Sequence, residues 1–496
     1  MAPRPRRSHR PTPADPPKDA AAGPTPSQRA ARLRESAGRG HVRDLGPLLL
    51  ALNDPVPGIR QTAAIALGIL RDPRGRLTLS VSLSDPDPGV RAAVAEALGA
   101  IGSPESRAAL ESALADPDPH VRAKTAHALA ALGDPGSIDA LASRTGDPSP
   151  EVRQAVAMAL GRIGTDAAVA PLRRMLEDPY DRVRREAVLG LGRAGPTDQL
   201  AVVRGFLRDP ARRVRVGAAV VAGRRRDRES VPLLLERLAA PETWEKPAVL
   251  IALGRIGAPE ATPALLEAAE HPAHWIRVCA LHALGDLAVP EARTVALAHL
   301  KDPSWSVRGA AAIALGSVGG PDELPALLET LRDDHPWPRR GATYALGRLG
   351  LAEAAPRIRE ELVDPVAEVR LAAVWSLGRL GDDGAREDLV RLLYASRTTD
   401  GAVPAPVEAD GEAQLLSDAE SRLFDAVVQA LGRLGRGMPD PLIQRALVDA
   451  RERLSEEELD RLARLPLPEI GVDRSPPTLR ALFETALPMG VDDEDG

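Results

Sequence analysis

One arginine recurs along this 496-residue chain every 31 residues, and no other feature restricts its fold as much. It stands at Arg60, Arg91, Arg122, Arg153, Arg184, Arg215, Arg277, Arg308, Arg339 and Arg370, with Lys246 at the one remaining step. An aspartate six residues earlier keeps the same interval at Asp54, Asp85, Asp116, Asp147, Asp178, Asp209, Asp302, Asp333 and Asp364, giving way only to Ala240 and His271. A fixed period of this length belongs to an array of stacked supersecondary units. Residues far apart in the text then stand in columns.

Each unit explains itself physically. DP or DPDP supplies a turn and a helix start, because Asp can cap free amides and Pro suits the first helical turn. In the unit that opens at Asp85, Val90, Val94, Leu98 and Ile101 have the spacing of one buried helical face, and Gly102 stops the helix. SRAALESALA then reads as a second amphipathic helix. Neither helix can bury its apolar stripe without neighbours. A glycine eight residues after the arginine recurs at Gly68, Gly99, Gly161, Gly223, Gly254 and beyond, although glycine inside a helix costs roughly 1 kcal/mol against alanine. Close approach of adjacent helix backbones is the expected compensation.

The unit DPxxxVRxxAAxALGxIG resembles the HEAT repeat, in particular the short variety named after phycobilisome lyases, over roughly residues 42 to 395 and again near 424 to 436. The resemblance implies an all-α, right-handed α-solenoid of about eleven 31-residue helix pairs with terminal caps. It also implies that the first helix of each pair faces the convex side and the second lines the concave side, that the recurrent Asp and Arg form a hydrogen-bonded ladder, and that the protein is bacterial and cytoplasmic. Within the family, bilin-handling lyases and a hydroxylase with His-Glu iron ligands are enzymes, so the resemblance implies as an alternative function a lyase-like enzyme or chaperone acting on a bilin or protein substrate.

Composition fits an array built from small residues. Apolar residues make up 44% and aromatics only 2%, so Ala, Leu, Val and Ile must supply the core. The single Cys279 excludes an internal disulfide framework and a cysteine-rich zinc site. A formal charge of -6 argues against bulk attraction to nucleic acid, while leaving room for a local basic strip. No run of 18 apolar residues predicts a membrane span.

The second half of the array carries the candidate site. All five tryptophans lie between residues 244 and 375. Trp244, Trp275 and Trp337 each stand two residues before the ladder position and Trp305 three before; polar residues or glycine hold that place elsewhere. Seven residues on, along the same helical stripe, come Ile251, His282, Ile313, Tyr344 and Trp375. The residue after the internal glycine is often arginine: Arg162, Arg193, Arg224, Arg255, Arg348 and Arg379. Repeats seven to eleven are therefore expected to present an aromatic strip on the concave face, with Arg255, Arg348 and Arg379 at its end, as the docking site for a protein or peptide. Two plainer readings accompany it: the tryptophans could instead fill seams between repeats, and the arginines could complement helix C-termini.

Other chemistries are weighed against that scaffold. Trp275, Cys279, His282 and Asp286 share one helical face, which offers a thiol, an imidazole and a carboxylate, yet groups on one straight helix converge poorly. His271 and His274 form an H-x-x-H without matched carboxylates, no His-Glu dipeptide occurs, and neither a phosphate loop nor a nucleophile elbow is found, so no cofactor or metal is predicted. Nucleic acid is a further alternative through the Arg and Trp columns, although lysine occurs only four times.

Residues 1–26 read as a disordered basic leader rich in Pro and Arg, with no secretory segment. The repeat array spans 27–395 and opens with a half-repeat, since Arg29 lies 31 residues before Arg60. Residues 396–418 interrupt the period as a flexible acidic, Pro-containing insertion, 419–490 form a last repeat and helical cap, and 491–496 are an acidic tail.

Overall fold

The computed structural model describes residues 25–38, 45–196, 198–240 and 244–398, together with Val427 and Ala430. The leader up to residue 24, most of the insertion, nearly all of the last repeat and cap, and the acidic tail lie outside the described residues. Among those described there are helices and turns and no strand. Eleven long helices follow the periodic positions and are numbered α1 to α11. They are α1 (Pro57–Leu70), α2 (Pro88–Ile101), α3 (Pro119–Leu132), α4 (Pro150–Ile163), α5 (Asp181–Ala194), α6 (Arg212–Arg225), α7 (Lys246–Ile256), α8 (His274–Leu287), α9 (Trp305–Val318), α10 (Pro336–Leu349) and α11 (Ala367–Leu380). Shorter helices connect them, from five residues at Ile138–Ala142 to ten at Pro290–His299. The fold is the all-α solenoid expected from the period.

The long helices start as the sequence dictates, with one change of role. Proline takes the first position of α1, α2, α3, α4 and α10. The helix itself is capped by the second aspartate of DPDP: Asp87 accepts from the Val90 N–H and Asp118 from those of His120 and Val121. The periodic aspartate instead closes the turn before the helix. Asp85 accepts the Asp87 N–H at 2.9 Å, an Asx-turn bond that recurs at Asp116, Asp147, Asp302 and Asp333. Its other oxygen lone pairs are thereby left for the arginine of the preceding repeat.

The chain divides into two compact units, Met1–Ala218 and Ala219–Gly496, and the division falls inside α6. In the first unit each of α1 to α5 packs on the next. The ladder runs between them: Arg60 holds Asp85 at 2.6 and 2.7 Å, and Arg91–Asp116, Arg122–Asp147, Arg153–Asp178 and Arg184–Asp209 repeat the bidentate pair. Each arginine also donates from Nη1 to the carbonyl of its own aspartate, as Arg122 does to Asp116 at 2.8 Å. Helix Pro26–Gly38 packs against α1, and Arg29 reaches Asp54 at 3.0 Å, so the ladder begins one step before the first full repeat.

In the second unit α7 to α11 pack in the same succession, with ladder pairs Arg277–Asp302, Arg308–Asp333 and Arg339–Asp364. Where the ladder lapses, other groups take over its tasks. His271 keeps the turn, its Nδ1 accepting the Ala273 N–H at 3.1 Å, which requires a neutral ring. Burial, with the charges of Lys246 and Arg277, pushes the His271 pKa down and favours that form. The nearly fully buried Glu245 pairs with Arg237. Across the ladder, burial by itself raises the carboxyls of Asp85, Asp116, Asp147 and Asp333. The hydrogen bonds from arginine and backbone and the arginine charges outweigh it and hold all four below the usual carboxylate range.

The core is a column of leucines seven residues after the ladder position. Leu67, Leu98, Leu129, Leu160 and Leu191 are buried in the first unit, as are Leu253, Leu284, Leu315, Leu346 and Leu377 in the second. The repeated glycine lets neighbouring long helices meet backbone to backbone. A Cβ placed on Gly99 would lie 2.7 Å from the Ala128 Cα, and one on Gly254 would lie 2.6 Å from the Ala283 Cα. Gly378 stands against Ala430 in the same way, with a Cβ there 3.0 Å from the Ala430 Cβ.

Candidate functional site

The site expected from the sequence lies on α7 to α11, within the second unit. Positions four or seven apart on one helix share a face, and packing α8 on α9, α9 on α10 and α10 on α11 turns those positions into columns. One column holds His282, Ile313, Tyr344 and Trp375. It lines two contiguous, shallow depressions that are open to solvent, each enclosing room for little more than a water molecule. The first is bounded by Ile313, Arg340, Tyr344, Glu368, Leu371 and Trp375. The second is bounded by His282, Asp286, Ile313, Ser317, Tyr344 and Arg348. Ile313 and Tyr344 belong to both, so the two form one groove across four successive long helices.

Aromatic rings in the second unit meet in stacked pairs. Tyr344 stacks on Trp375 with centroids 4.7 Å apart and planes inclined by 22°, and Trp244 stacks on Trp275 at 6.4 Å and 21°. Trp305 stacks on His335 at 4.0 Å and 13°. The His335 Nδ1 also accepts the Trp337 N–H at 3.2 Å, which fixes the imidazole at the head of α10. Burial, then the nearby Arg308 and Arg339 charges, push the His335 pKa down against the pull of Asp333, so the ring is held in the neutral form that this bond requires. Arg340 lies 4.7 Å over the Trp337 ring and Arg379 lies 5.6 Å over Trp375.

The five indoles are not equivalent, which corrects the expectation of a uniform exposed strip. Trp244 is 58% exposed, and Trp275 and Trp305 are half-buried. Trp337 is only 8% exposed: its ring occupies the space above Gly309, where any Cβ would collide with it, and its Nε1 is buried without a hydrogen-bond partner. Trp337 therefore fills a seam between repeats. Trp375, 5% exposed, is covered on one side by Tyr344 and forms part of the groove floor. The plainer reading fits Trp337, Trp375 is buried as well, and only Trp244, Trp275 and Trp305 leave part of their rings accessible.

A second correction concerns the thiol. Cys279 is fully buried in α8, and burial pushes its pKa up to about 12. A neutral, enclosed thiol cannot act with His282 and Asp286, which are half-buried and line the groove. The spacing of four, three and four placed these residues near one another but could not tell the inner edge of the helix from its outer edge. Among the described residues no cluster of three or more His, Cys, Asp or Glu side chains is arranged around a common metal position.

Arg348 lines the groove, and Arg255 and Arg379 are exposed on α7 and α11. Sequence reasoning missed four contributors: Arg340, His335, Glu368 and Leu371. Arg340 carried a readable signal, since it follows Trp337 by three residues on one helix and directly follows a ladder arginine. His335 carried none, because its part depends on the ring of the preceding repeat.

With this geometry in hand, the chain can be compared with known proteins. A family model described as HEAT repeats matches residues 45–119, 108–192, 175–249, 200–278, 243–301, 276–347 and 324–400, well over half of the sequence. None of the curated proteins compared with the chain matches it. Among solved structures, yeast importin-beta (Kap95p) is 15% identical and is covered to 73% by 94% of this chain, at a TM-score of 0.51. The CpcE and CpcF complex of phycocyanin lyase from Nostoc sp. is 20% identical, with 60% of this chain covering 97% of that one at a TM-score of 0.31. Human deoxyhypusine hydroxylase is 21% identical, with 58% covering 96% at 0.24. Such identities speak to the fold alone.

Proposed function

Since the chain belongs to the HEAT-repeat family, we propose that it is a non-catalytic, cytoplasmic scaffold that binds a protein or peptide along the long-helix face of its second unit. The observation that carries this reading is the groove across α8 to α11. A shallow surface depression is floored by apolar and aromatic side chains and edged by arginines, the residue types that dominate binding energy at protein interfaces. Stacking holds Tyr344 and Trp375 in place before any partner arrives, which lowers the ordering cost of association. The close backbone approach along the long-helix row supports its assignment to the inner, concave side of the stack. Binding rather than turnover is favoured because the Cys279 thiol behind the groove is enclosed and protonated.

The test compares faces. Trp275, Tyr344 and Val81, the last an exposed residue on the short helix Arg76–Ser82, are each replaced by the photoreactive p-benzoylphenylalanine in the full chain, which is then irradiated in native lysate. Discrete protein adducts are expected from positions 275 and 344 and not from 81. Adducts from 81 alone would overturn the assignment.

A further inference from the structure

The arginines of the array fall into two classes. Eight of the ladder arginines hold the aspartate of the following repeat. Arg255, Arg348 and Arg379 instead stand nine residues past the ladder position of their helices, and among the described residues none of them has a carboxylate partner. The Arg379 guanidinium carbon lies 5.6 Å over the Trp375 ring, and a guanidinium placed against a ring can still offer its N–H fork to a carboxylate. Two cations thus stand at the same position on α10 and α11, beside a ring pair already stacked.

Resting on the docking reading above, we propose that the groove recognises an extended acidic segment of a partner protein. Two carboxylates about three residues apart engage Arg348 and Arg379, and an apolar side chain next to them packs on the Tyr344–Trp375 pair. The spacing follows from geometry. Packed helices lie about 8–10 Å apart, and a polyproline-II segment rises about 3.1 Å per residue with three residues per turn, so residues i and i+3 face the same way about 9 Å apart. One acid per helix is the natural register. Asp286 and Glu368 line the same groove. They interrupt the positive surface and disfavour an unbroken phosphate backbone, whereas a peptide can place neutral or basic residues opposite them. This sets an acidic peptide above nucleic acid as the occupant.

The experiment is a selection from a random twelve-residue peptide display library on the full chain. Fluorescence anisotropy of the enriched peptides follows, with wild type, R348Q/R379Q, Y344A and, as a control in the first unit, R162Q/R193Q. Enriched peptides are expected to carry Asp or Glu pairs at three-residue spacing. They should lose at least tenfold in affinity for R348Q/R379Q and less than twofold for R162Q/R193Q. Enrichment of neutral or basic peptides that still depend on Tyr344 overturns the acidic specificity and leaves the docking groove standing. No enrichment at all overturns both. A twelve-nucleotide oligothymidylate that binds as tightly, with the same dependence on Arg348 and Arg379, overturns the peptide in favour of nucleic acid.

Discussion

Replacing Gly254 by Ala sets two opposing effects against each other at one atom. Alanine favours a helix interior over glycine by roughly 1 kcal/mol. The added Cβ, however, would lie 2.6 Å from the Ala283 Cα and 2.9 Å from both the Ala283 Cβ and carbonyl oxygen. Carbon atoms pack favourably at about 3.5–4.0 Å, so α7 and α8 must separate by about 1 Å. Overpacking of this kind costs about 1–3 kcal/mol. The obstructing atoms are helix backbone and a Cβ, not the free end of a side chain, so the upper half of that range applies and the net loss is about 1–2 kcal/mol. Gly205 is the control: its backbone is helical and nothing stands within 4 Å of a Cβ there, so Gly205→Ala should gain about 0.4–1 kcal/mol. Urea titrations followed by circular dichroism read both variants. Tryptophan fluorescence reads the second unit alone, because all five indoles lie there. A Gly254→Ala midpoint above wild type would refute the argument that close backbone approach is why glycine recurs.

Four further outcomes follow from the same coordinates. Asp147, whose side chain is 1% exposed, holds Arg122 at 2.8 Å; Asp147→Asn should cost about 3 kcal/mol in a urea titration, and because the native carboxyl lies below its usual range, its contribution should persist at neutral pH and vanish only as pH falls below the ordinary aspartate value near 3.8. Trp337→Ala should lose about 3–5 kcal/mol, while Trp275→Ala changes the thermal midpoint little; equal effects would contradict the seam assignment. The Cys279 thiol should resist an aromatic disulfide reagent at pH 8 until the chain is unfolded. Burial, with Asp364 and Glu360 opposing Arg339 and Arg357, raises Glu361 to about 7 from an ordinary 4.5. Wild type should therefore lose stability relative to Glu361→Gln as pH rises from about 4.5 through 7, and a pH-independent difference would dismiss that shift.

How far the sequence could be read depended on whether a feature is local or periodic. The 31-residue interval carried the register of the units and the resemblance to the HEAT repeat implied the ladder, in which an arginine and an aspartate 25 residues apart pair because consecutive units stack. It also carried the glycine row, whose cost makes no sense on an isolated helix. The role of the periodic aspartate was misread in one respect: turn closure and helix capping both call for Asp, and DPDP contains one for each. The indoles show where periodicity stops informing. Trp275 and Trp337 occupy the same position in their units, yet Gly309 stands one repeat before Trp337 and opens the space its ring enters, whereas Pro247 holds the corresponding place before Trp275. Exposure there depends on the neighbouring repeat and not on the helix that bears the ring. Cys279 was misplaced for a related reason, since a helical stripe of four residues is wide enough to run from the groove into the core.

Hydrogen exchange on the full chain, with and without a saturating peptide from the library selection, tests most directly whether the groove is the working surface. Amide protection should rise in α8, α9, α10 and α11 and leave α1 to α4 unchanged. Protection confined to the short connecting helices, or spread evenly over the array, would contradict it.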